Sequence, residues 1–371
     1  MKVGIVIHGP EVVDSGQAGE LLSTLRSKFD VFAVAVGTMC RVAVREAALQ
    51  NVDVSRNFKP SEAIGSLSSQ CDYVVLLNTG KTIESGTSFG KIISSRISVP
   101  FIQIERPGLA DGKVIARGNF ENTFPEKLSS LLQMPLDRES SSAWQNILRE
   151  GNRTYRKVAI VLPGELIMVN GIVVGRAFSE DVALVFENGF IVDIVGAEMR
   201  EHGVEKVHGY DLLLPLDEQK IWVKSGPLRC PVSGMLRTCG NYPEADVKDK
   251  WTVLLIDHNA ERLFDRLVEG YDAIVTVGDD TTLVASEILS GYGIPLIGIT
   301  DGDRDDVMIS CRIPCRSTIF RLKSGNDDTF GKLIRTNIFL ENDVGRFSSL
   351  RELEMRIIGL AGNLMEYMLY F

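Results

Sequence analysis

Residues 275–306, "VTVGDDTTLVASEILSGYGIPLIGITDGDRDD", decide the fold class, because two apolar runs flank a helix-like segment. The runs "VTV" and "IPLIGIT" have the continuous apolar character of buried strands, and "TLVASEILS" has the length of a short helix. A strand, a helix and a second strand form the repeating unit of an α/β fold with a parallel sheet. Each of the two strands ends in a burst of aspartates.

The same alternation of strand and helix occurs at both ends of the chain, and a different texture separates the two regions. Phrases such as "MVNGIVV" and "VFENGFIVD" place Asn-Gly between apolar runs, which is a strong hairpin signal. We therefore predict an α/β protein with two parallel-sheet α/β units separated by a small β-rich domain. The predicted segments are an open α/β domain at 1–155, the β-rich domain at 156–225, a connector at 226–250, a second α/β domain at 251–345 and a C-terminal helix at 346–371.

Composition limits the classes of function. The 371 residues include 40 basic and 49 acidic side chains, and the net charge of -9 argues against general nucleic-acid binding. No apolar run reaches the roughly 20 residues of a membrane helix, and the N-terminus lacks a signal peptide, so we expect a cytoplasmic protein without membrane partners. The six cysteines are irregularly spaced, and we expect most of them to be reduced and buried.

The two bursts of aspartates form a candidate magnesium site. Asp279 and Asp280 follow one predicted strand, and Asp301 and Asp303 follow the next. Two unit charges about 5 Å apart repel by roughly 3 kcal/mol at an effective dielectric of about 20, so a cluster favours a cation or raised pKa values. Mg²⁺ prefers such oxygen ligands. The alternative is that Asp280 or Thr281 caps the following helix and "DGDRDD" is a solvated turn.

The loop after the first strand, "HGPEVVDSG", supplies candidate catalytic residues. His8 has an intrinsic pKa near neutrality, which suits a general acid or base, and Asp14 is a second candidate catalytic residue. Glu11 and Ser15 lie in the same loop and are candidate ligand-binding residues. The alternative is a strand-end histidine that is hydrogen-bonded to the backbone.

Two further strand-end loops add candidate ligand-binding residues to the first domain. Asn78 and Lys81 follow the strand "DYVVLLN", and Lys81 is placed to bind an anion at the start of the next helix. A solvated loop lysine is an equally good interpretation. Arg106 follows the strand "FIQIE", where a local salt bridge is the default explanation. Because parallel strands align their carboxyl ends, we expect all these loops to share one face.

The C-terminal α/β segment shows a local resemblance to Toprim domains. The order strand, acidic turn, helix, strand, "DGD" is similar to the arrangement with which those domains hold magnesium. The resemblance implies that Asp301 and Asp303 are the acidic pair. The first acid, normally Glu, is replaced here by Asp279 or Asp280.

The same segment is similar to the G-G-D-G-T turn of NAD and diacylglycerol kinases. Gly278, Asp279 and Thr281 match that motif, which implies ligand-binding roles for Gly278 and Thr281. Val277 and Asp280 replace two of its glycines. A carboxylate at position 280 opposes the close approach of a phosphate, which argues against nucleotide kinase activity.

Across most of its length the chain resembles an uncharacterised archaeal, methanogen-type family, domain-of-unknown-function family 2117. The phrases that support the resemblance are "GIVIHGPEVVDSG", "GTMCRVAV", "LLNTGKT", "IQIERPG" and "VGDDTT". It implies an archaeal cytoplasmic setting and no particular reaction.

Two functional hypotheses follow from the sequence. The first is a magnesium-dependent enzyme that acts on, or is regulated by, a small phosphorylated ligand or a nucleotide. The second is a non-catalytic scaffold or regulatory protein that binds a protein partner through its β-rich domain and terminal helix.

Overall fold

The computed structural model describes residues 1–139, 146–159, 161–170, 172–209, 214–221, 223–226, 250–257, 260, 263–301 and 313–371. Asp303 and residues 227–249 of the expected connector lie outside these ranges. The chain divides into two compact units, Met1–Pro227 and Leu228–Phe371.

The first unit begins with a seven-stranded sheet in which helices follow most of the strands. The first strand, "KVGIVIH", buries five consecutive residues, as expected for a strand covered on both faces. The elements of this region are β1 (Lys2–His8), α1 (Glu11–Asp14), α2 (Gln17–Arg26), β2 (Asp30–Val36), α3 (Thr38–Glu46), β3 (Val52–Asp53), α4 (Pro60–Ser68), β4 (Tyr73–Asn78), α5 (Ile83–Ser94), β5 (Phe101–Glu105), β6 (Lys113–Arg117), α6 (Phe124–Leu132) and β7 (Leu136–Glu139).

The strand order of this sheet is β3-β2-β1-β4-β5-β6-β7. Its pairs are parallel except for β5 with β6. Alternate residues of β1 enter two different hydrophobic clusters, with Ile5 and Ile7 in one and Val6 in the other. The carboxyl ends of β1, β2, β4 and β5 therefore meet at one edge between two packed layers.

The rest of the first unit is a β-rich region built from two four-stranded sheets. The strand orders are β14-β11-β10-β15 and β13-β12-β9-β8. Asn188 and Gly189 both have positive φ, 51° and 82°, at the hairpin between the twelfth and thirteenth strands. The elements are β8 (Ile147–Glu150), β9 (Arg153–Lys157), β10 (Leu166–Val169), β11 (Ile172–Ala177), β12 (Ala183–Glu187), β13 (Phe190–Val195), β14 (Ala197–Met199), α7 (Glu201–Val207) and β15 (Val223–Gly226).

The second unit contains a six-stranded sheet with order β20-β16-β17-β18-β19-β21. Its four central strands are parallel and its two edge strands are antiparallel. The elements are β16 (Trp251–Asp257), α8 (Leu263–Arg266), β17 (Ala273–Val277), α9 (Asp279–Ser290), β18 (Leu296–Thr300), β19 (Thr318–Leu322), α10 (Asp327–Asn337), β20 (Val344–Phe347), α11 (Leu350–Ala361) and β21 (Met365–Tyr370).

The predicted fold class is confirmed, because two mainly parallel sheets are accompanied by separate antiparallel β-rich sheets. The C-terminal helix predicted for 346–371 is too long. The helix α11 ends at Ala361, and Gly362 has a φ of 48°, outside the helical region. The last residues form β21, where Met368 pairs with Phe320 of β19. The pairing with β21 satisfies the backbone N–H and C=O groups of β19. The helical spacing of apolar residues in the C-terminal sequence does not reveal this pairing.

The structure bears on the expected absence of membrane helices and on the state of the cysteines. Within the described residues, no helix has the length and apolar character to cross a membrane. Cys40 has a buried free thiol and Cys71 a partly exposed one, whereas Cys315 is disulfide-bonded. Two of the three cysteines among the described residues are therefore reduced, and Cys315 is the exception.

Candidate functional site

The carboxyl edge of the first sheet joins three polar side chains from neighbouring strands. His8 pairs in register with Asn78, and Asn78 pairs with Glu105. His8 Nδ1 lies 2.7 Å from Asn78 Oδ1, and Asn78 Nδ2 donates to Glu105 Oε2 at 2.8 Å. The parallel register therefore aligns the last residues of β1, β4 and β5 into one hydrogen-bonded row.

Glu105 is fully buried and accepts hydrogen bonds from three groups. Besides Asn78, these are the Gly80 backbone N–H at 2.6 Å and Gln103 Nε2 at 2.5 Å. Burial raises the pKa of Glu105, and the three donors oppose that shift. A Cβ at Gly86 of α5 would lie 2.0 Å from the carboxyl carbon, so only glycine leaves room for this side chain.

The row continues beneath α5 toward the far side of the sheet. Gln103 Oε1 accepts from Arg117 Nε at 2.7 Å, and Arg117 also donates to Glu139 Oε2 at 2.9 Å and to the Thr87 carbonyl at 2.8 Å. Burial lowers the pKa of Arg117 although Glu139 opposes the shift. Side chains from β1, β4, β5, β6 and β7 thus form one polar chain inside the domain.

His8 is held as a neutral imidazole. Its ring stacks on Phe89 with centroids 4.2 Å apart. Burial lowers the pKa of His8 to about 4, the Asn78 hydrogen bond opposes this shift, and the ammonium group of Lys224 lowers the pKa further. The alternative of a histidine bonded to the backbone is not what the structure shows, because the partner of Nδ1 is a side chain.

Lys81 is bound by the β-rich region of the same unit. Its ammonium nitrogen lies 2.5 Å from Glu165 Oε2 and 3.3 Å from Ser225 Oγ. Glu165 precedes β10, and Ser225 lies in β15 beside Lys224. Lys81 is therefore an exposed loop lysine that is also held in an ion pair, and the strand β15 borders the carboxyl edge of the first sheet.

Arg106 forms a local salt bridge with Asp111, as expected by default from the sequence. Its Nε contacts both carboxylate oxygens of Asp111 at 3.0 and 2.9 Å. Its NH1 donates to the carbonyl oxygens of Gly80 and Lys81 at 2.5 and 2.8 Å. Arg106 thus fixes the loop that carries Lys81.

The other candidates of the first loop lie on or next to the short helix α1. Glu11, Asp14 and Ser15 are exposed, and the Ser15 hydroxyl donates to the Val12 carbonyl at 3.3 Å. A Cβ at Gly9 would lie 2.6 Å from a carboxylate oxygen of Glu11, which places that carboxylate over the turn after His8.

The N-terminus of α3 also lies at this edge. Gly37 joins β2 directly to the helix with φ 82° and ψ 140°, and the first turn contains no acidic residue. Cys40 Sγ donates to the Ile7 carbonyl at 3.3 Å, which places this turn beside the end of β1 and next to His8. The backbone N–H groups at a helix start favour anions.

The carboxyl edge of the second sheet contains the acidic residues. The helix α9 begins at Asp279, with Gly278 before it, so Asp279 and Asp280 lie in the first turn. The alternative of a helix cap at Asp280 or Thr281 is therefore wrong, because the N-cap residue is Gly278 and both residues lie inside the helix. Asp301 follows β18, is buried, and accepts a hydrogen bond from the Gly325 backbone N–H.

Neighbouring parallel strands place the two acidic loops at the same edge. The strands β17 and β18 are paired, and the Gly278 N–H donates to the Ile299 carbonyl at 2.9 Å. Asp279 and Asp301 are both buried. No group of three or more possible metal ligands occurs among the described residues, which do not include Asp303.

Sequence reasoning missed the residues that connect the site. Glu105 is the last residue of an apolar strand and pairs in register with Asn78 of the neighbouring strand. Its position at the strand end is the sequence signal that could have identified it as a site residue. Glu165 and Lys224 come from the β-rich region far along the chain, and no local pattern indicates them.

The class of protein is therefore an α/β protein with two mainly parallel sheets, antiparallel β-rich sheets and a polar row at one strand edge. A family model described as "uncharacterized protein conserved in archaea (DUF2117)" matches residues 5–342. An uncharacterized protein of Methanocaldococcus jannaschii is 38% identical over 350 residues, covering 92% of each chain. The chain belongs to this archaeal family, as its resemblance indicated. No solved structure matches it, and neither match supports the Toprim-like resemblance.

Proposed function

We propose that the protein is an enzyme that acts on a small phosphorylated ligand or a nucleotide at the carboxyl edge of the first sheet. The observation that supports this most strongly is His8, a neutral imidazole at a strand end beside the ammonium group of Lys224. A neutral histidine accepts a proton, whereas nearby cations favour an anionic substrate. His8 is the proposed general base.

The phosphate would lie between the start of α3 and the strand β15. The first turn of α3 contributes backbone N–H groups and contains no acid. Lys81 and Lys224 bring positive charge to the same edge, although Glu165 neutralises part of the charge of Lys81. In this proposal Asp14, Glu11 and Ser15 contact the ligand from α1.

Magnesium belongs to the proposal at the second edge. Two buried carboxylates, Asp279 and Asp301, follow paired parallel strands. Burial of carboxylates is costly unless donors or a cation compensate, and Mg²⁺ suits such oxygen ligands. The proposed ligand set is Asp279, Asp280, Asp301 and Asp303.

The first experiment tests binding at the first edge, with inorganic phosphate and adenosine monophosphate as probes. We expect each probe to raise the melting temperature of the parent, because binding to the folded state stabilises it. The variant Lys81→Gln with Lys224→Gln should lose this response. Lys113→Gln is the matched control, because Lys113 is as exposed as Lys81 and also forms an ion pair.

The second experiment tests catalysis. The parent is incubated with a panel of phosphorylated metabolites and nucleotides with Mg²⁺, and products are identified by mass spectrometry. We expect turnover of at least one compound, and a loss of at least 100-fold in His8→Gln if His8 is the general base. Absence of both probe binding and turnover would overturn the proposal.

One observation favours the alternative of a scaffold protein. Three apolar side chains on one face of the edge strand β21 and its end, Tyr367, Leu369 and Phe371, are 43 to 48% exposed. An exposed edge strand offers unpaired backbone groups to a partner. Stoichiometric co-purification of a protein that is lost in Leu369→Lys would support the scaffold hypothesis.

A further inference from the structure

We infer that Glu105 is a positioning residue: through Asn78 it fixes the tautomer of His8 and leaves Nε2 as the proton acceptor. The consequence for catalysis rests on the proposed function. The tautomer itself is a property of the folded chain that can be measured without any substrate.

The chain of donors starts at Arg117, whose guanidinium can only donate hydrogen bonds. Its Nε donates to Gln103 Oε1 at 2.7 Å, which fixes the side-chain oxygen of Gln103 on that side. The amide nitrogen of Gln103 must then point the other way, where it donates to Glu105 Oε2 and to the Gly86 carbonyl. Arg117 therefore determines that Glu105 receives a hydrogen bond.

The second half of the chain runs from Glu105 to His8. Both oxygens of Glu105 already accept N–H groups, from Gly80 and Gln103, so Asn78 directs its amide nitrogen to Glu105 at 2.8 Å. The oxygen of Asn78 consequently faces His8 Nδ1 at 2.7 Å, and this pair needs the proton on Nδ1. Nε2 is left with its lone pair and has no hydrogen-bond partner among the described residues.

A purely structural role does not explain this chain. Buried ionic and polar groups contribute less to stability than well-packed apolar side chains of similar volume. His208 shows how this molecule holds a structural histidine: its Nδ1 pairs with the Leu214 carbonyl at 2.8 Å and its Nε2 accepts from Ile191 N–H at 3.0 Å. Both nitrogens of His208 are used by the backbone, whereas His8 is held from one side only, by a side chain.

The test exchanges the two side chains, Gln103→Glu with Glu105→Gln, because in Glu105→Gln alone Gln103 Nε2 still needs an acceptor at residue 105. In the exchanged pair the residue 103 carboxylate accepts from Arg117 Nε and from the residue 105 amide, whose nitrogen then also faces Asn78. Asn78 must then turn its oxygen toward residue 105 and its amide nitrogen toward His8, so the proton of the imidazole moves to Nε2. We expect ¹⁵N NMR of histidine-labelled protein at neutral pH to show the downfield, unprotonated resonance at Nε2 in the parent and at Nδ1 in the exchanged pair. The signal is assigned by its loss in His8→Gln.

A further variant tests the direction of the relay. When Asn78→Asp is added to the exchanged pair, the new carboxylate accepts both from the residue 105 amide and from His8 Nδ1–H. We expect the lone pair to return to Nε2. This variant also separates a tautomer change from a folding defect, because both variants contain the same change at position 105.

Two controls accompany the measurement. Glu139→Gln removes a carboxylate from the other side of Arg117 and should leave the His8 tautomer unchanged. His208 serves as an internal control, because its backbone partners are the same in every variant. An unchanged His8 tautomer in the exchanged pair, or no return when Asn78→Asp is added, would overturn the inference. If the tautomer moves but no substrate is turned over, the inference holds and the proposed function fails.

Discussion

The carboxyl edges of the two sheets share one backbone design and differ in charge. At the first edge β2 enters α3 through Gly37, with φ 82° and ψ 140°; at the second, β17 enters α9 through Gly278, with φ 97° and ψ 145°. These dihedral angles are essentially restricted to glycine. The next residues are Thr38 and Met39 in one case and Asp279 and Asp280 in the other.

At both edges the glycine turn fixes the direction of the helix, and the side chains that follow determine which ligand is favoured. Both helix starts present positive backbone dipoles to the edge. At the first edge no acid opposes that dipole, and the neutral His8 lies beside it. At the second, Asp279 and Asp280 neutralise it. We therefore expect anions at the first edge and cations at the second.

The largest expected effect is on acid stability, and it concerns only the first edge. The folded-state pKa of His8 is lowered to about 4 from 6.5, so the unfolded chain binds the proton first as the pH falls. The parent should lose roughly 3 kcal/mol of stability between pH 6.5 and 4 that His8→Gln does not lose. Urea unfolding over that pH range measures the difference. Parallel stability curves for the two proteins would contradict a neutral, half-buried His8.

The second prediction concerns the close packing of α5 against the Glu105 side chain. Gly86→Ala places a Cβ against the buried carboxyl group and should destabilise the first unit by about 2 kcal/mol. The control is Gly65→Ala in α4, where nothing lies within 4 Å of the new Cβ. That change should be neutral or stabilise by about 0.5 kcal/mol. Equal urea midpoints for the two variants would mean that α5 moves away from Glu105 without cost.

The strands that form both carboxyl edges were largely predictable from the sequence. Continuous apolar runs indicate β1, β4, β5, β17 and β18, and parallel pairing then brings their ends together. The contacts of Lys81 were not predictable, because Lys81 follows a strand of the first sheet whereas Glu165 and Ser225 belong to the β-rich region, far along the chain. The strand β21 was missed because its pairing partner, not its own spacing, determines its conformation.

The third prediction tests the cation preference of the second edge. At ten times its dissociation constant, Mg²⁺ should stabilise the parent by about 1.4 kcal/mol. Asp279→Asn with Asp301→Asn should abolish this gain. Asp343→Asn is the control, because Asp343 is an exposed partner of Arg335 in the same unit. An equal response of the parent and the double variant to Mg²⁺ in thermal unfolding would leave the two aspartates without a metal.

The smallest expected effect comes from equalising the charges of the two helix starts. Met39 and Asp280 each lie two residues after the junction glycine, so Met39→Asp and Asp280→Asn leave one acidic residue in the first turn at each edge. A carboxylate in the first turn stabilises a helix by about 0.5 kcal/mol, so Met39→Asp should gain and Asp280→Asn should lose that amount in urea unfolding. The larger consequence is in binding, since Met39→Asp should remove the stabilisation by inorganic phosphate although the helix becomes more stable. Opposite signs for stability and phosphate binding in one variant cannot arise from a general loss of folding. If inorganic phosphate still stabilises Met39→Asp, the anion binds away from α3. The two edges would then share only the conformation of the glycine turn, and the charge of the helix start would not determine the ligand.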